Sequence, residues 1–167
     1  DSVSGIEVSS PYYWNIAPHR DATLTTTVMS KRGLALDSEF RYLEPLHQGQ
    51  TRFNWMPNDS LRKESRWGLS AQHSGEADTG VSALGRVGVD LNINRVSDDN
   101  YWRDFPRAGL SLTQRLLPAS GSLQWSQGDL SMMAQVLQFQ TLQDISSPIT
   151  PPYNRSPQIQ ARYNKWN

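Results

Sequence analysis

The sequence predicts an all-β protein built as an antiparallel meander. Three observations carry that expectation. Apolar and polar residues alternate singly over short stretches, clusters of turn-forming residues divide those stretches, and no segment holds the apolar period of a convincing helix. In chain order, Pro11 and Pro18 first bracket an aromatic run, Tyr12-Tyr13-Trp14, that reads as a strand. Leu34, Leu36, Ser38, Phe40 and Tyr42 then form a row opposite Asp37, Glu39 and Arg41. Thr51, Phe53 and Trp55 begin another, and Trp67, Leu69 and Ala71 lie opposite Ser70 and Gln72. The clearest row is Val87, Val89, Leu91 and Ile93, with Asp90, Asn92 and Asn94 on the other face. Turns are expected at Lys31-Arg32-Gly33, His47-Gln48-Gly49, Pro57-Asn58-Asp59, Ala119-Ser120-Gly121 and Gln127-Gly128-Asp129. Gly75 to Gly85 reads as a loop or weak strand, and Ser146 to Pro157 as the longest irregular segment. A strand-plus-connection period of about 20 residues gives roughly eight strands.

Two architectures share this alternation. In a soluble antiparallel sandwich the apolar face is a core, whereas in a membrane barrel it meets lipid. No stretch approaches the roughly 18 apolar residues of a spanning helix, but a spanning strand needs only about 9 to 11. Tyr42, Trp55, Trp67, Tyr101, Trp102 and Tyr163 lie near strand ends and resemble interfacial girdles, although hairpin packing would use the same residues. Sixteen basic residues balance sixteen acidic ones, which argues against a nucleic-acid partner. Cysteine is absent, so no internal disulfide framework exists. Neither an initiator Met nor a signal core precedes the first motif, and the chain reads as an internal piece of a precursor.

No catalytic constellation emerges. His19, His47 and His73 lack partners at metal-ligand spacing. Ser60-Leu61-Arg62-Lys63 fits a Ser-x-x-Lys pattern, but without its supporting motifs. Asp98, Asp99 and Asp104 beside Asn100 could hold a divalent cation, with a solvated turn as the simpler reading. We expect no enzyme, no metal and no cofactor. Arginine far outnumbers lysine, which suits bidentate contacts to phosphorylated sugars and equally a codon bias.

The run Pro11-Tyr12-Tyr13-Trp14-Asn15-Ile16-Ala17-Pro18-His19-Arg20-Asp21 resembles the motif that opens the barrel of the LptD family, the lipopolysaccharide (LPS)-assembly proteins. The similarity continues through Ala22-Thr23-Leu24-Thr25, Ser30-Lys31-Arg32-Gly33, Glu39-Phe40-Arg41-Tyr42-Leu43 and Pro57-Asn58-Asp59. It returns at Arg95 to Phe105 and, more loosely, at Pro157-Gln158-Ile159-Gln160.

The resemblance implies a partial antiparallel transmembrane β-barrel meander, the N-terminal part of a larger outer-membrane barrel. Residues 1–10 would be the handover from a periplasmic jelly-roll domain, and 11–167 the first strands and loops. The implied function is transport of lipopolysaccharide into the outer leaflet through a lateral seam where the first and last strands meet. The implied partners are lipopolysaccharide, the plug lipoprotein LptE and the bridge protein LptA, the last through the jelly roll. The gate residues would be Pro11, Tyr12, Tyr13, Trp14, Asn15 and Pro18. A proline limits the hydrogen bonds that hold a seam shut. The family's second seam proline falls where this chain has Thr26, so one weakening element is missing. A general porin or receptor barrel and a soluble carbohydrate-binding sandwich are the alternative readings.

Overall fold

The computed structural model describes residues 4–105 and 114–165. Nine strands form one antiparallel sheet in strict chain order: β1 (Glu7–Ala17), β2 (Arg20–Met29), β3 (Gly33–Leu43), β4 (His47–Asp59), β5 (Glu64–Asp78), β6 (Arg86–Val96), β7 (Leu116–Gln127), β8 (Leu130–Thr141) and β9 (Arg155–Tyr163). One helical turn, α1 (Tyr101–Asp104), interrupts the β6–β7 connection. This is a partial barrel meander. The described residues make a single sheet with β1 and β9 at its edges, so the sandwich reading, which requires two facing sheets, is overturned.

Because opposed residues in an antiparallel pair point the same way, the register assigns every side chain to a face. One face carries Leu24, Phe40, Phe53, Leu69, Ile93, Leu123, Ala134 and Ile159 from successive strands. The other carries Thr23, Glu39, Arg52, Ser70 and Asn94 in a single cross-strand row. Val8, Leu24, Val28, Phe53 and Leu123 remain 40% exposed or more, so the apolar face is not a core and no other part of the described chain covers it. A hollow of about 880 Å³ on the polar side touches residues from β3 to β9. A single hollow can meet so many strands only if the sheet curls around its polar face.

Three of the expected turns lie inside strands. His47-Gln48-Gly49 opens β4, Pro57-Asn58-Asp59 closes it, and Ala119-Ser120-Gly121 sits within β7. The small residues that suggested turns instead receive neighbouring side chains. A Cβ on Gly49 would stand 2.2 Å from the Tyr42 hydroxyl, and one on Gly121 would stand 3.2 Å from Leu91. Tyr42 thus lies over Gly49 and bonds His73 Nδ1 on the far side. Gln127-Gly128-Asp129 is a tight hairpin, with Gly128 at φ 56 as a two-residue connection demands. The nine strands agree with the expected count of roughly eight, and β9 begins at Arg155, inside the segment expected to be irregular. Of the aromatics expected at interfaces, Tyr42, Trp55, Trp67 and Tyr163 lie on the apolar face. Tyr101 and Trp102 do not, because α1 folds against the polar side.

The β6–β7 junction has the shortest paired register. Paired register runs only from Gly88↔Gln124 to Ile93↔Ala119. Ser97 N–H donates to Trp67 C=O, so odd residues of β6 bond β5 and even ones face β7. The next bonded pair would be Asn94 with Pro118, and proline has no N–H to donate. The ladder stops there. The Asn94 amide donates to Pro118 C=O at 3.1 Å, while Gln140 of β8 brackets Val96, accepting its N–H at 3.0 Å and donating to its C=O at 2.8 Å. Val96 is buried, so losing the bracket leaves two unsatisfied backbone groups at about 1–3 kcal/mol each. In Gln140→Ala, amide hydrogen exchange of the Val96 region is expected to accelerate while that of Leu91 and Ile93 does not.

Candidate functional site

Two regions carry the polar chemistry of the sheet: the free edge of β1, and a set of charges at the end of the sheet where α1 lies. At the edge, Ser30 N–H donates to Ile6 C=O at 2.9 Å, and the register then runs unbroken from Glu7↔Met29 to Asn15↔Asp21. Even residues of β1 therefore turn their backbone groups toward β2, and odd residues turn theirs outward. Pro11 is odd, so its missing donor lies on the open edge. Thr26 opposes Ser10 in a bonded pair and keeps its N–H for the β1–β2 ladder. The six expected gate residues are thus divided. Tyr12 and Trp14 lie on the apolar face beside Leu24 and Ala22, while Pro11, Tyr13 and Asn15 lie on the polar face. Tyr13 donates to Asp21 at 3.3 Å, and Pro18 belongs to the β1–β2 turn. A register shift between Asn15 and Ala17 interrupts the ladder, which resumes at Ala17↔Arg20 beside that turn. β1 begins at Glu7, ahead of the boundary expected at residue 11, and residues 1–3 of the expected handover lie outside the described residues.

On the polar face of β2–β4 the charged groups are engaged by their neighbours. Arg41 makes a two-pronged contact to Asp21 at 2.9 and 2.6 Å, Arg52 meets Glu39 at 2.6 Å, and Asn54 donates to Asp37.

At the α1 end, Arg66 is fully buried on β5. It donates to both oxygens of Asp98 at 2.8 Å, to Asp59 at 3.0 Å and to Asp104 at 2.7 Å. Arg62 grips Asp104 at 2.8 and 3.1 Å, and Arg32 pairs with Asp59 at 2.5 Å. The Phe105 ring lies 4.8 Å from the Arg66 guanidinium and 5.2 Å from that of Arg32. Below it, Val96, Tyr101, Leu117 and Leu142 make a small apolar core against which Trp102 and Phe105 pack. The segment 97–105 is therefore drawn in over the polar face. This corrects the reading of its acids as a solvated turn for Asp98 and Asp104, whose carboxylates are occupied by guanidinium groups, while Asp99 stays exposed. In the sequence these acids stand apart from their partners, which come from β5 and from the turns between other strands. Three of the thirteen arginines, Arg41, Arg62 and Arg66, make such two-pronged pairs to carboxylates rather than leaving an open phosphate site.

Burial alone would raise the Asp104 carboxyl, but hydrogen bonds from Arg62 and Arg66 and the nearby charge of Arg32 outweigh it and hold the group below the ordinary carboxylate range. A depressed folded value means that this contribution is fully present above the unfolded value of 3.8 and is lost as pH falls through the folded one. Trp102 packs beside this network, so its fluorescence is expected to stay constant from neutral pH down to about 4 and to change only below it.

An open meander with one apolar and one polar face, curled around the polar side, is a section of transmembrane β-barrel wall. The family model described as LPS transport system D matches residues 64–167. The chain belongs to the LptD family. It is 52% identical, over 98% of its length, to the LPS-assembly protein LptD of Polaromonas sp. strain JS666. It is 55% identical over its whole length to that of Albidiferax ferrireducens and 39% identical over 99% to that of Ralstonia nicotianae. It spans about a fifth of the length of these curated relatives, 20%, 21% and 20% respectively.

Proposed function

We propose that this segment forms one side of a lateral seam through which an outer-membrane barrel passes lipopolysaccharide to the outer leaflet. The observation that carries the reading is the orientation of Pro11. Its absent N–H faces the open edge of β1, where a closing strand from outside this sequence would pair. In lipid each unsatisfied backbone group costs several kcal/mol, so a seam lacking one donor is weaker than an ordinary junction. The β1–β2 ladder keeps its Thr26 bond, so β1 and β2 move as one hairpin and the opening falls on their outer side. Tyr12 and Trp14 would then meet acyl chains, while Tyr13 and Asn15 would meet the sugar side. By family likeness the plug is LptE, and supply comes from LptA through a periplasmic jelly-roll domain. If the chain enters β1 from that side, the arginine–aspartate network lies at the periplasmic end. The work at this edge is transport, with no bond made or broken.

The test places a photo-crosslinking amino acid at Tyr13 of the full-length protein in living cells. Capture of lipopolysaccharide is expected, and it should vanish when the transport machinery is starved of energy. If a folded protein gives no capture at Tyr12, Tyr13 or Trp14, and its depletion alters small-solute uptake without changing surface lipopolysaccharide, the segment belongs to a passive porin.

A further inference from the structure

We infer that a groove on the apolar face of β6–β9 retains one acyl chain of a lipopolysaccharide molecule already resident in the outer leaflet, at a site separate from the seam. The inference rests on the transport reading above, which supplies the lipid. The groove itself is centred near β7, six strands from β1 and roughly 30 Å along the wall.

The groove holds about 410 Å³ and lies toward the end of the sheet opposite α1. Its floor is the cross-strand row Leu123, Ala134 and Ile159, with Trp125 opposite Met132 in the next row on the same face. Ala134 is small, so the floor dips between two larger side chains. Leu84, from the connection between β5 and β6, supplies a wall. The other three connections at this end are residues 18–19, 44–46 and 128–129, whereas this one runs over 79–85. Much of its backbone is internally bonded. Thr79 donates to Gly85 C=O through its N–H at 3.1 Å and its hydroxyl at 2.7 Å, and the N–H groups of Leu84 and Gly85 donate to Val81 C=O at 2.9 and 3.1 Å. The Trp125 indole N–H then donates to Leu84 C=O at 2.6 Å and fastens the loop to β7. Free backbone groups are costly beside hydrocarbon, and these bonds let the loop lie against a lipid-facing wall.

The one side-chain hydroxyl in the lining, that of Thr79, is already bonded, so the surface left open is alkyl, thioether and indole. It offers a sugar or a head group no partner and suits a hydrocarbon chain. A chain that enters from the bilayer exchanges one hydrocarbon setting for another, so retention depends on close contact rather than on the hydrophobic effect. A flat wall touches a chain along one side. This groove touches it on the floor and the flanks, and Met132 adapts to its shape. The leaflet decides the lipid: with β1 entered from the periplasm, the end opposite α1 lies in the outer leaflet, to which the proposed transport delivers lipopolysaccharide. Asn164 N–H donates to Asp129 C=O, which places Lys165 at that end, and Lys165 makes no ion pair among the described residues and complements a phosphorylated head group.

The experiment uses the full-length protein in cells, with photo-crosslinkers placed singly at Met132 in the groove, at His47 as a reference and at Tyr13. The register puts His47 in the cross-strand row of Leu123 and Ala134, on the same face but outside the groove. Capture of lipopolysaccharide at Met132 is expected to exceed that at His47 about threefold or more, the worth of a modest packing difference. The excess should persist when the transport machinery is starved of energy, whereas capture at Tyr13 vanishes. Ala134→Phe fills the floor and Leu84→Ser removes an apolar wall, and each should bring Met132 down to the level of His47 in protein that keeps its heat-modifiable fold. Equal capture at Met132 and His47 without either substitution, with capture at Tyr13 intact, overturns the inference and leaves the transport reading standing. Phospholipid in place of lipopolysaccharide at Met132 overturns it too. So does an excess that disappears with the energy supply, because the chain would then be cargo in transit, or one that survives both substitutions, because the groove would not be what holds it. Silence at Tyr13 removes the transport reading, and with it the reason to place lipopolysaccharide in this groove.

Discussion

Replacing Arg66 with alanine is expected to release the 97–105 segment from the polar face and to deplete the assembled protein severalfold. The guanidinium is fully buried and serves three carboxylates. A buried ion pair adds little over an apolar pair of similar shape, but removing one partner strands charge in a poorly solvated site at about 3–5 kcal/mol. Here the loss reaches Asp59, which is also buried, as well as Asp98 and Asp104. Phe105 would lose a cation from its face, and the Val96–Tyr101–Leu117–Leu142 cluster would lose its lid. Arg66→Lys keeps the charge but cannot span both oxygens of Asp98, so it should fall between alanine and the native residue. Arg62→Ala should cost far less, because its side chain is 35% exposed and water can replace it. The measurement is the heat-modifiable folded fraction of the full-length protein, with limited proteolysis of the 97–105 segment. Full assembly and an uncut segment in Arg66→Ala would mean that the network does not hold the loop.

The second large effect concerns the apolar face. Leu91→Arg, near the middle of β6, is expected to cost about 2–4 kcal/mol if that face meets hydrocarbon at the bilayer centre. It would also remove the packing of Leu91 over Gly121. Gln72→Arg, whose side chain enters the hollow on the opposite face, is expected to be nearly neutral. Refolding of the full-length protein into lipid vesicles, followed by denaturant titration, compares the two. Equal effects would contradict the assignment of faces, since only a sheet with lipid on one side and water on the other separates them so widely.

Much of the wall was legible in the sequence. Val87, Val89, Leu91 and Ile93 declared the apolar face of β6 because a strand puts alternate residues on one side, and the β3 and β5 rows did the same. Glycine misled. Gly49 and Gly121 mark places where Tyr42 and Leu91 cross a neighbouring strand, and a local reading cannot tell such a seat from a turn. The gate run was visible as residues but not as a geometry: which way Pro11 turns its missing donor follows from the parity set by Ser30 and Ile6. The arginine–aspartate network was hidden for a related reason. Arg32, Arg62 and Arg66 stand at strand ends and in a turn, each unremarkable alone, and the excess of arginine over lysine was the one compositional sign of them.

The alternation by itself determined the all-β class, the two-faced strands and the absence of a helical span, because these depend on residues one or two positions apart. Only the tertiary structure decided that the sheet is single and open, that Asp98 and Asp104 turn inward, and that β6 and β7 part at Pro118. Those outcomes depend on register, and register brings together side chains from different strands whose sequence neighbours carry no trace of the meeting.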